Sequence, residues 1–198
     1  MVLNGVLQLL VKIYINIKYM LEKVLEKVLV YVGFFGPFIL LFITSALLFL
    51  SNKYNLLAFY VGGFFLNSLL NGLLKIVIKD PRPSEDIKLF EAELHNGKRI
   101  SFDRYGMPSG HAQSMGYSIG FIFGIFKNPI ITNIYLILAL ITMAQRYLFK
   151  NHTIAQLLVG FITGIGVGLG LNWIAFALKV GKLREKRDDY GPTYLFGL

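Results

Sequence analysis

Three stretches carry side chains whose types and spacing suit chemistry on a phosphorylated group. In the first, Lys75 near the end of an apolar run is followed after six residues by Arg82 and Pro83, within the break Asp80-Pro81-Arg82-Pro83. Ionisable residues near membrane depth are costly and usually functional, and an arginine fork suits phosphate oxygens. Alone, a snorkelling lysine and a loop arginine would account for the pair. The second stretch, Tyr105-Gly106-Met107-Pro108-Ser109-Gly110-His111, lies where polar sequence gives way to apolar. Proline and serine are natural helix-start residues. A helix start offers free N–H groups and a positive dipole end to an anion; Ser109 adds a hydroxyl, and His111 on the first turn can reach the same anion. Alone, it could be a capped helix with an interfacial histidine. The third stretch places Arg146 five residues before His152, and Gln156 three residues after it. On a helix, His152 and Gln156 are neighbours, so the amide can accept from one ring nitrogen and fix the tautomer, leaving the other nitrogen free to attack.

Helices must hold these residues, and the composition says where. The chain has 198 residues, 55% of them apolar and 16% charged, and its positive mean hydropathy is too high for an ordinary soluble domain. Residues 31–50, 54–78, 109–126, 129–148 and 153–180 approach the roughly 20 apolar residues of a membrane span. The expected fold is therefore all-α: an integral membrane bundle of about five transmembrane helices. Residues 3–29 alternate Leu7, Leu10, Tyr14, Ile17, Leu21 and Val24 with Gln8, Lys12, Asn16, Lys23 and Lys27. This predicts an amphipathic N-terminal helix that either lies at the membrane interface, the favoured placement, or packs against the bundle. The division follows as 1–30 amphipathic helix, 31–180 membrane domain with its motif-bearing core at 61–170, and 181–198 basic tail. No soluble second domain is expected, and no cleavable signal peptide, because Lys12, Asn16 and Lys18 interrupt the early apolar run.

The segment 79–108 holds six acidic and six basic residues and is expected to be a solvated loop. Five spans would put this loop and the 148–152 turn on one membrane face, together with every residue singled out above. The net charge of +9 gathers at helix ends and tails, which suits anionic lipid headgroups rather than nucleic acid. Lys53, Lys127 and the basic residues 179–187 mark the other face as cytoplasmic, so the site would face the lumen or exterior; the lysines of the first segment weigh against this orientation. Asn67, Asn71 and Lys75 share one helix face, the asparagines being suited to bonding neighbouring helices. Gly160, Gly164 and Gly168, with Gly166 and Gly170 one face over, point to close helix packing. The absence of cysteine excludes thiol chemistry, and no Walker, His-Glu-x-x-His or Cys-x-x-Cys sequence is present. His95 is assigned no role, and Tyr190 to Leu198 carry no interpretation beyond default disorder.

In order and spacing the three stretches resemble the signature of the type 2 phosphatidic acid phosphatase superfamily: Lys-x6-Arg-Pro, Pro-Ser-Gly-His and Ser-Arg-x5-His-x3-Asp. The chain departs from it at Gln145, where serine is usual, and at Gln156, where the family's aspartate orients the nucleophilic histidine. It is more similar at Gln156 to dolichyl diphosphatases, which carry His-Thr-x-x-Gln, here His152-Thr153-Ile154-Ala155-Gln156. That similarity covers roughly residues 61–170 and departs at Gly110, where serine is expected, and again at Gln145.

The resemblance implies an enzyme: a metal-independent phosphatase acting on a polyprenyl diphosphate. His152 would form a phosphohistidine, His111 would protonate the leaving group and later activate water, and Gln156 would position His152. Lys75, Arg82, Ser109, the Gly110 backbone N–H and Arg146 would hold the phosphoryl oxygens. No cofactor follows, and the implied partners are a lipid substrate and membrane lipids. The alternatives are a phosphatidate or sphingoid phosphate phosphatase, a phosphotransferase, or an impaired lipid-binding protein in which Gln156 replaces the usual aspartate, since an amide at the carboxylate of a Ser-His-Asp triad costs about 10⁴ in turnover. If Gln156 only positions the ring, Gln156→Asp is expected to retain activity with a shifted pH profile, and total loss would give the amide a further role. The membrane would be the endoplasmic reticulum or, in a prokaryote, the cell membrane; neither the lipid nor the oligomeric state is legible.

Overall fold

The fold is described from a computed structural model for residues 2–97 and 104–178, with residues 2–10, 84–87, 89 and 90 considered as backbone only. It consists of α1 (Val2–Leu50), α2 (Tyr54–Ile78), α3 (Ser84–His95), α4 (Gly110–Phe126), α5 (Pro129–Leu148) and α6 (Ile154–Ala177). Among the described residues there is no strand, only an isolated bridge between Pro81 and Tyr105. The residues beyond 178, including the basic tail and the 190–198 stretch, lie outside this description.

Among the described residues, four helices are long and apolar enough to cross a membrane: Val11–Leu50 within α1, α2, α5 and α6. The fifth expected span, α4, has 17 residues, which puts it at the short end of the spanning range. It is buried throughout from Ala112 to Ile122, so the other helices rather than lipid surround its middle. Large side chains such as Phe65, Leu69, Leu73 and Val77 on α2 and Ile130, Ile137 and Leu140 on α5 stay exposed and form the apolar outer surface that a bilayer would cover.

The first helix runs across the expected boundary near residue 30. Residues 3–29 and 31–50 form one uninterrupted helix, because nothing between Val28 and Val32 breaks it and its first proline is Pro37. The 40 residues from Val11 to Leu50 measure about 60 Å, roughly twice the hydrocarbon thickness. Residues 11–28 are exposed all round, whereas Gly33, Gly36, Pro37, Leu40, Thr44 and Leu48 form a buried stripe at helical spacing. Only the second half is therefore part of the bundle. A Cβ on Gly33 would strike Gln145 and one on Gly36 would strike Thr142, so these two glycines set the approach of α1 to α5.

The polar segment also differs from expectation, because it contains α3. His95 lies in its last turn. A periodic run of only 12 residues is easily hidden in a charged sequence.

Glycines fix the pairing of α4 with α6. A Cβ on Gly164 or Gly168 would meet the α4 backbone at Gln113 or Tyr117, and one on Gly116 or Gly120 would meet the α6 backbone at Phe161 or Ile165. In lipid, such close packing replaces hydrophobic association. The four-residue glycine pattern on α6 is thus confirmed at Gly160, Gly164 and Gly168. Gly166 and Gly170 face open space, so the second glycine face does not pack within the described chain. Buried hydroxyls add cross-links: Tyr60 to Ser118 at 2.8 Å, Thr44 to Tyr135 at 2.9 Å, and Tyr117 donating to the Tyr60 carbonyl at 2.8 Å.

Candidate active site

The end of α2, the start of α4, the end of α5 and the start of α6 meet at one end of the bundle. Asn67, Asn71 and Lys75 are all buried on one face of α2, as their spacing required. The asparagines bond the neighbouring helix. Asn71 donates to the Pro108 carbonyl at 3.1 Å and to Gln113 Oε1 at 2.8 Å, while Gln113 Nε2 donates to Asn67 Oδ1 at 2.9 Å. Gln113 thereby ties the Lys75 face of α2 to the first turn of α4. Lys75 is only 3% exposed, so its ammonium does not snorkel to the surface.

The start of α4 is built from backbone contacts. Ser109 is its N-cap and accepts from the Ala112 N–H, as the residue type predicts. The Ser109 N–H donates to the Gln156 carbonyl at 3.0 Å, and Gly160 leaves room for the Ser109 backbone. Gly106 N–H donates to the Asp80 carbonyl at 2.7 Å, joining the two ends of the polar segment. Gly110 faces Asn71, and a Cβ there would sit 3.2 Å from Asn71 Oδ1. A serine at this position would therefore need the asparagine to give way.

His111 lies at the start of α4 and meets two other helices. Its Nε2 is 2.9 Å from Arg146 Nη2 and 3.1 Å from the Phe34 carbonyl of α1. A guanidinium only donates and a carbonyl only accepts, so this nitrogen has a partner whether bare or protonated. Arg146 also lies over the Phe34 ring at 5.2 Å. Pro37 removes the N–H that would bond the Gly33 carbonyl, and the α1 ladder is thus interrupted beside the residue that meets His111.

Asn151 links the two arginines. Its carbonyl accepts from Arg82 Nη1 at 3.2 Å and its Oδ1 from Arg146 Nη1 at 2.6 Å. Arg82 and Arg146, separated in sequence, are thereby drawn to the 148–152 turn, as the shared-face argument required. Sequence reasoning missed Asn151 because a loop asparagine beside a histidine looks like a turn residue.

His152 precedes α6 and is only 4% exposed. Its Nδ1 is 3.2 Å from Gln156 Oε1, the pairing expected from sequence, although His152 lies outside the helix that the spacing argument assumed and the contact forms because Gln156 turns back to cap α6. Gln156 is fully buried and completes a capping box with Thr153. Burial pushes the His152 pKa well below its ordinary value; the nearby cations of Arg82 and Lys75, and less so Arg146, push the same way, while the Gln156 bond opposes them. Burial and these charges thus favour the neutral ring. His152 also lines an open cavity of about 580 Å³ with Pro83, Tyr147, Leu148, Lys150, Thr153, Ile154 and Ala155. Its mostly apolar wall suits a lipid tail beside the cationic cluster.

Lys75, Arg82, Ser109, Gly110, His111, Arg146, His152 and Gln156 are therefore gathered at this end of the molecule. The side chain of Gln145 lies against Gly33, where a bulkier α1 residue would not fit, and its buried Oε1 has no hydrogen-bond partner among the described residues; nothing in the structure explains its departure from serine.

The PAP2 superfamily profile matches residues 56–179, well over half of the chain, and the chain belongs to this superfamily of helical membrane proteins. A palmitoyl-protein thioesterase-dolichyl pyrophosphate phosphatase fusion of Schizosaccharomyces pombe is 32% identical over 135 residues, covering 63% of this chain and 19% of that protein. A dolichyldiphosphatase of Saccharomyces cerevisiae is 29% identical over 151 residues, 65% of this chain and 60% of its own length. Lipid phosphate phosphatase gamma of Arabidopsis thaliana is 28% identical over 127 residues, 59% of this chain and 52% of its own. The chain thus spans between 19% and 60% of the length of these relatives. No solved structure matches it.

Proposed function

We propose that this chain is a membrane-embedded lipid phosphatase that hydrolyses a polyprenyl diphosphate of the dolichyl type through a phosphohistidine. The observation that carries this reading is the His152 ring, buried beside Lys75, Arg82 and Arg146 with Nδ1 against an amide oxygen. Two of the relatives bear dolichyl diphosphate phosphatase names, which favours the diphosphate over phosphatidate.

In the first step His152 Nε2 attacks the terminal phosphorus. An N–P bond forms, the P–O bond to the lipid phosphate breaks, and the departing oxygen takes the proton of His111 Nε2. In the second step His111, now bare, accepts a proton from water as the water oxygen attacks the phosphohistidine, releasing inorganic phosphate and neutral His152. Both states of His111 Nε2 have a partner in place, the Phe34 carbonyl for the protonated form and Arg146 for the bare one. Lys75, Arg82, Arg146, Ser109 and the Gly110 N–H stabilise the equatorial oxygens, where phosphoryl transfer gathers charge. These cations supply the role a metal would otherwise have, so activity is expected to survive chelator. The site opens to the lumenal or external face, with Lys53 and Lys127 on the opposite, cytoplasmic side.

The test is phosphate release by detergent-solubilised protein from a polyprenyl diphosphate, phosphatidate and a sphingoid phosphate, with and without chelator. His152→Ala and His111→Ala should each retain the fold, with His152→Ala losing activity by about 10³-fold or more. Trapping of labelled phosphate on His152 in a brief turnover should accompany activity. Full activity in His152→Ala, or a clear preference for phosphatidate, would overturn the corresponding part of the reading.

A further inference from the structure

Gln156 has polar partners on both ends of its amide. Oε1 faces His152 Nδ1 at 3.2 Å and accepts from the Thr153 N–H at 3.1 Å; Nε2 donates to Asp80 Oδ2 at 2.6 Å and to the Pro81 carbonyl at 2.8 Å. An amide nitrogen only donates and an amide oxygen only accepts. With two acceptors at one end and a backbone donor at the other, the amide has one possible orientation, so His152 must carry its proton on Nδ1. Two of these partners, Thr153 N–H and Pro81 C=O, are backbone and fix the orientation without help. The Asp80 carboxylate therefore contributes charge, and its bond to Gln156 is the shortest of the set.

We propose that Asp80 is a positioning residue that completes a His152–Gln156–Asp80 relay, supplying through the amide the negative charge that an aspartate at position 156 would supply directly. This rests on the reading of His152 as nucleophile. The charges facing His152 are otherwise positive: Lys75 from α2, Arg82 from the polar segment and Arg146 from α5, with Lys150 lining the same cavity. Arg146 also bonds His111 of α4, while α6 contributes only the neutral Gln156. As His152 attacks, its ring takes on positive charge, and a carboxylate polarising the amide stabilises that charge against these cations. A neighbouring carboxylate raises imidazole basicity, and with it nucleophilicity.

The relay changes what Gln156→Asp should do. With Gln156 only positioning the ring, that variant would keep its activity. With Asp80 already 2.6 Å from the position 156 amide, a second carboxylate would face the first and repel it.

The test is an exchange of charge between the two positions, measured on the full chain in detergent by steady-state kinetics and pH profile. Asp80→Asn is expected to lower kcat by about 10- to 100-fold, the range for a carboxylate that acts through another side chain, with KM little changed. Its acid limb should move to lower pH, because His152 loses a charge that favours its protonated form. Asp80→Glu should retain more activity than Asp80→Asn. Gln156→Asp should be impaired alone, and the double variant Asp80→Asn/Gln156→Asp should exceed both single variants, since it restores one carboxylate bonded by one amide. Asp80→Asn with wild-type kcat, or an impairment that the double variant does not relieve, would overturn the relay. If Asp80→Asn does not fold, Asp80→Glu against Gln156→Asp and the double variant still decides it. Labelled phosphate on His152 in the wild type keeps the two questions apart: its absence removes the nucleophile, whereas its presence with no Asp80 effect removes only the relay.

Discussion

At the scale of residues, the proposed mechanism needs one imidazole that is neutral and one that changes state. His152 meets the first need through burial and three neighbouring cations. A lowered pKa keeps the ring neutral to lower pH than an exposed imidazole, so its attack should not weaken until the pH falls below about 6.5. Nitrogen-15 NMR of labelled histidine should show His152 neutral with the proton on Nδ1 at pH 6.5, and titration at or above that value would contradict the burial argument. In the proposed mechanism the second need falls to His111. Its protonation of the leaving oxygen matters less when that oxygen belongs to a phosphate, whose second pKa is about 6, than when it is a lipid alkoxide. His111→Ala should therefore cost a diphosphate roughly tenfold less in kcat than a monophosphate, measured with one lipid chain carrying either group. Equal losses would place His111 outside proton transfer. Gly106 belongs to the same scale: a Cβ there would meet the Gln156 amide, so Gly106→Ala should lower kcat by about 10- to 100-fold while leaving substrate binding nearly intact.

At the scale of elements, glycine geometry gives a paired test. Gly164 faces the Gln113 backbone and Gly166 faces open space two residues away. Gly164→Ala must push α4 from α6 and should cost about 1–3 kcal/mol; Gly166→Ala should be neutral or stabilise by up to about 1 kcal/mol through helix propensity. Unfolding midpoints in detergent check both, and equal effects would mean that α4 and α6 do not pack through this ladder. The same contrast shows what a sequence can disclose. Four-residue spacing was enough to put Asn67, Asn71 and Lys75 on one face, because helical period alone decides such neighbours, whereas His152 lies before α6 and meets Gln156 where that side chain turns back to cap the helix. Spacing could not say which glycine face meets another helix, since that depends on α4, nor that Gln113 would bridge Asn67 and Asn71. Asp80 was hidden for a related reason. Its partner Gln156 lies 76 positions away, and only the antiparallel return of α4 and α5 brings them together. The α3 helix escaped notice because charge dominates its composition, and the length of α1 because amphipathic and spanning halves of one helix resemble two elements.

At the scale of the whole molecule, α1 raises the question of sidedness. Gly33 and Phe34 are level with the site through Gln145 and His111, while Leu48 lies near the opposite end in the core with Tyr60. Residues 11–28 therefore continue beyond the site end of the bundle, whether they stand in water or lie against the membrane surface. Their four lysines, Lys12, Lys18, Lys23 and Lys27, are accompanied by only two acids, Glu22 and Glu26, and oppose the charge argument for an external site. Labelling separates geometry from orientation, and the chain has no native cysteine to remove. In sealed vesicles, Lys23→Cys and Asn96→Cys should react with an impermeant thiol reagent from one side, and Ser51→Cys from the other, all three being exposed in the fold. Lys23 and Ser51 sharing a side would break the single-crossing description of α1. With the pairing as expected, the side on which Asn96→Cys reacts also gives the side on which His152 meets substrate. Reaction from outside or from the lumen bears out the proposed orientation; reaction from the cytoplasm shows that the lysines of α1, rather than Lys53 and Lys127, set it.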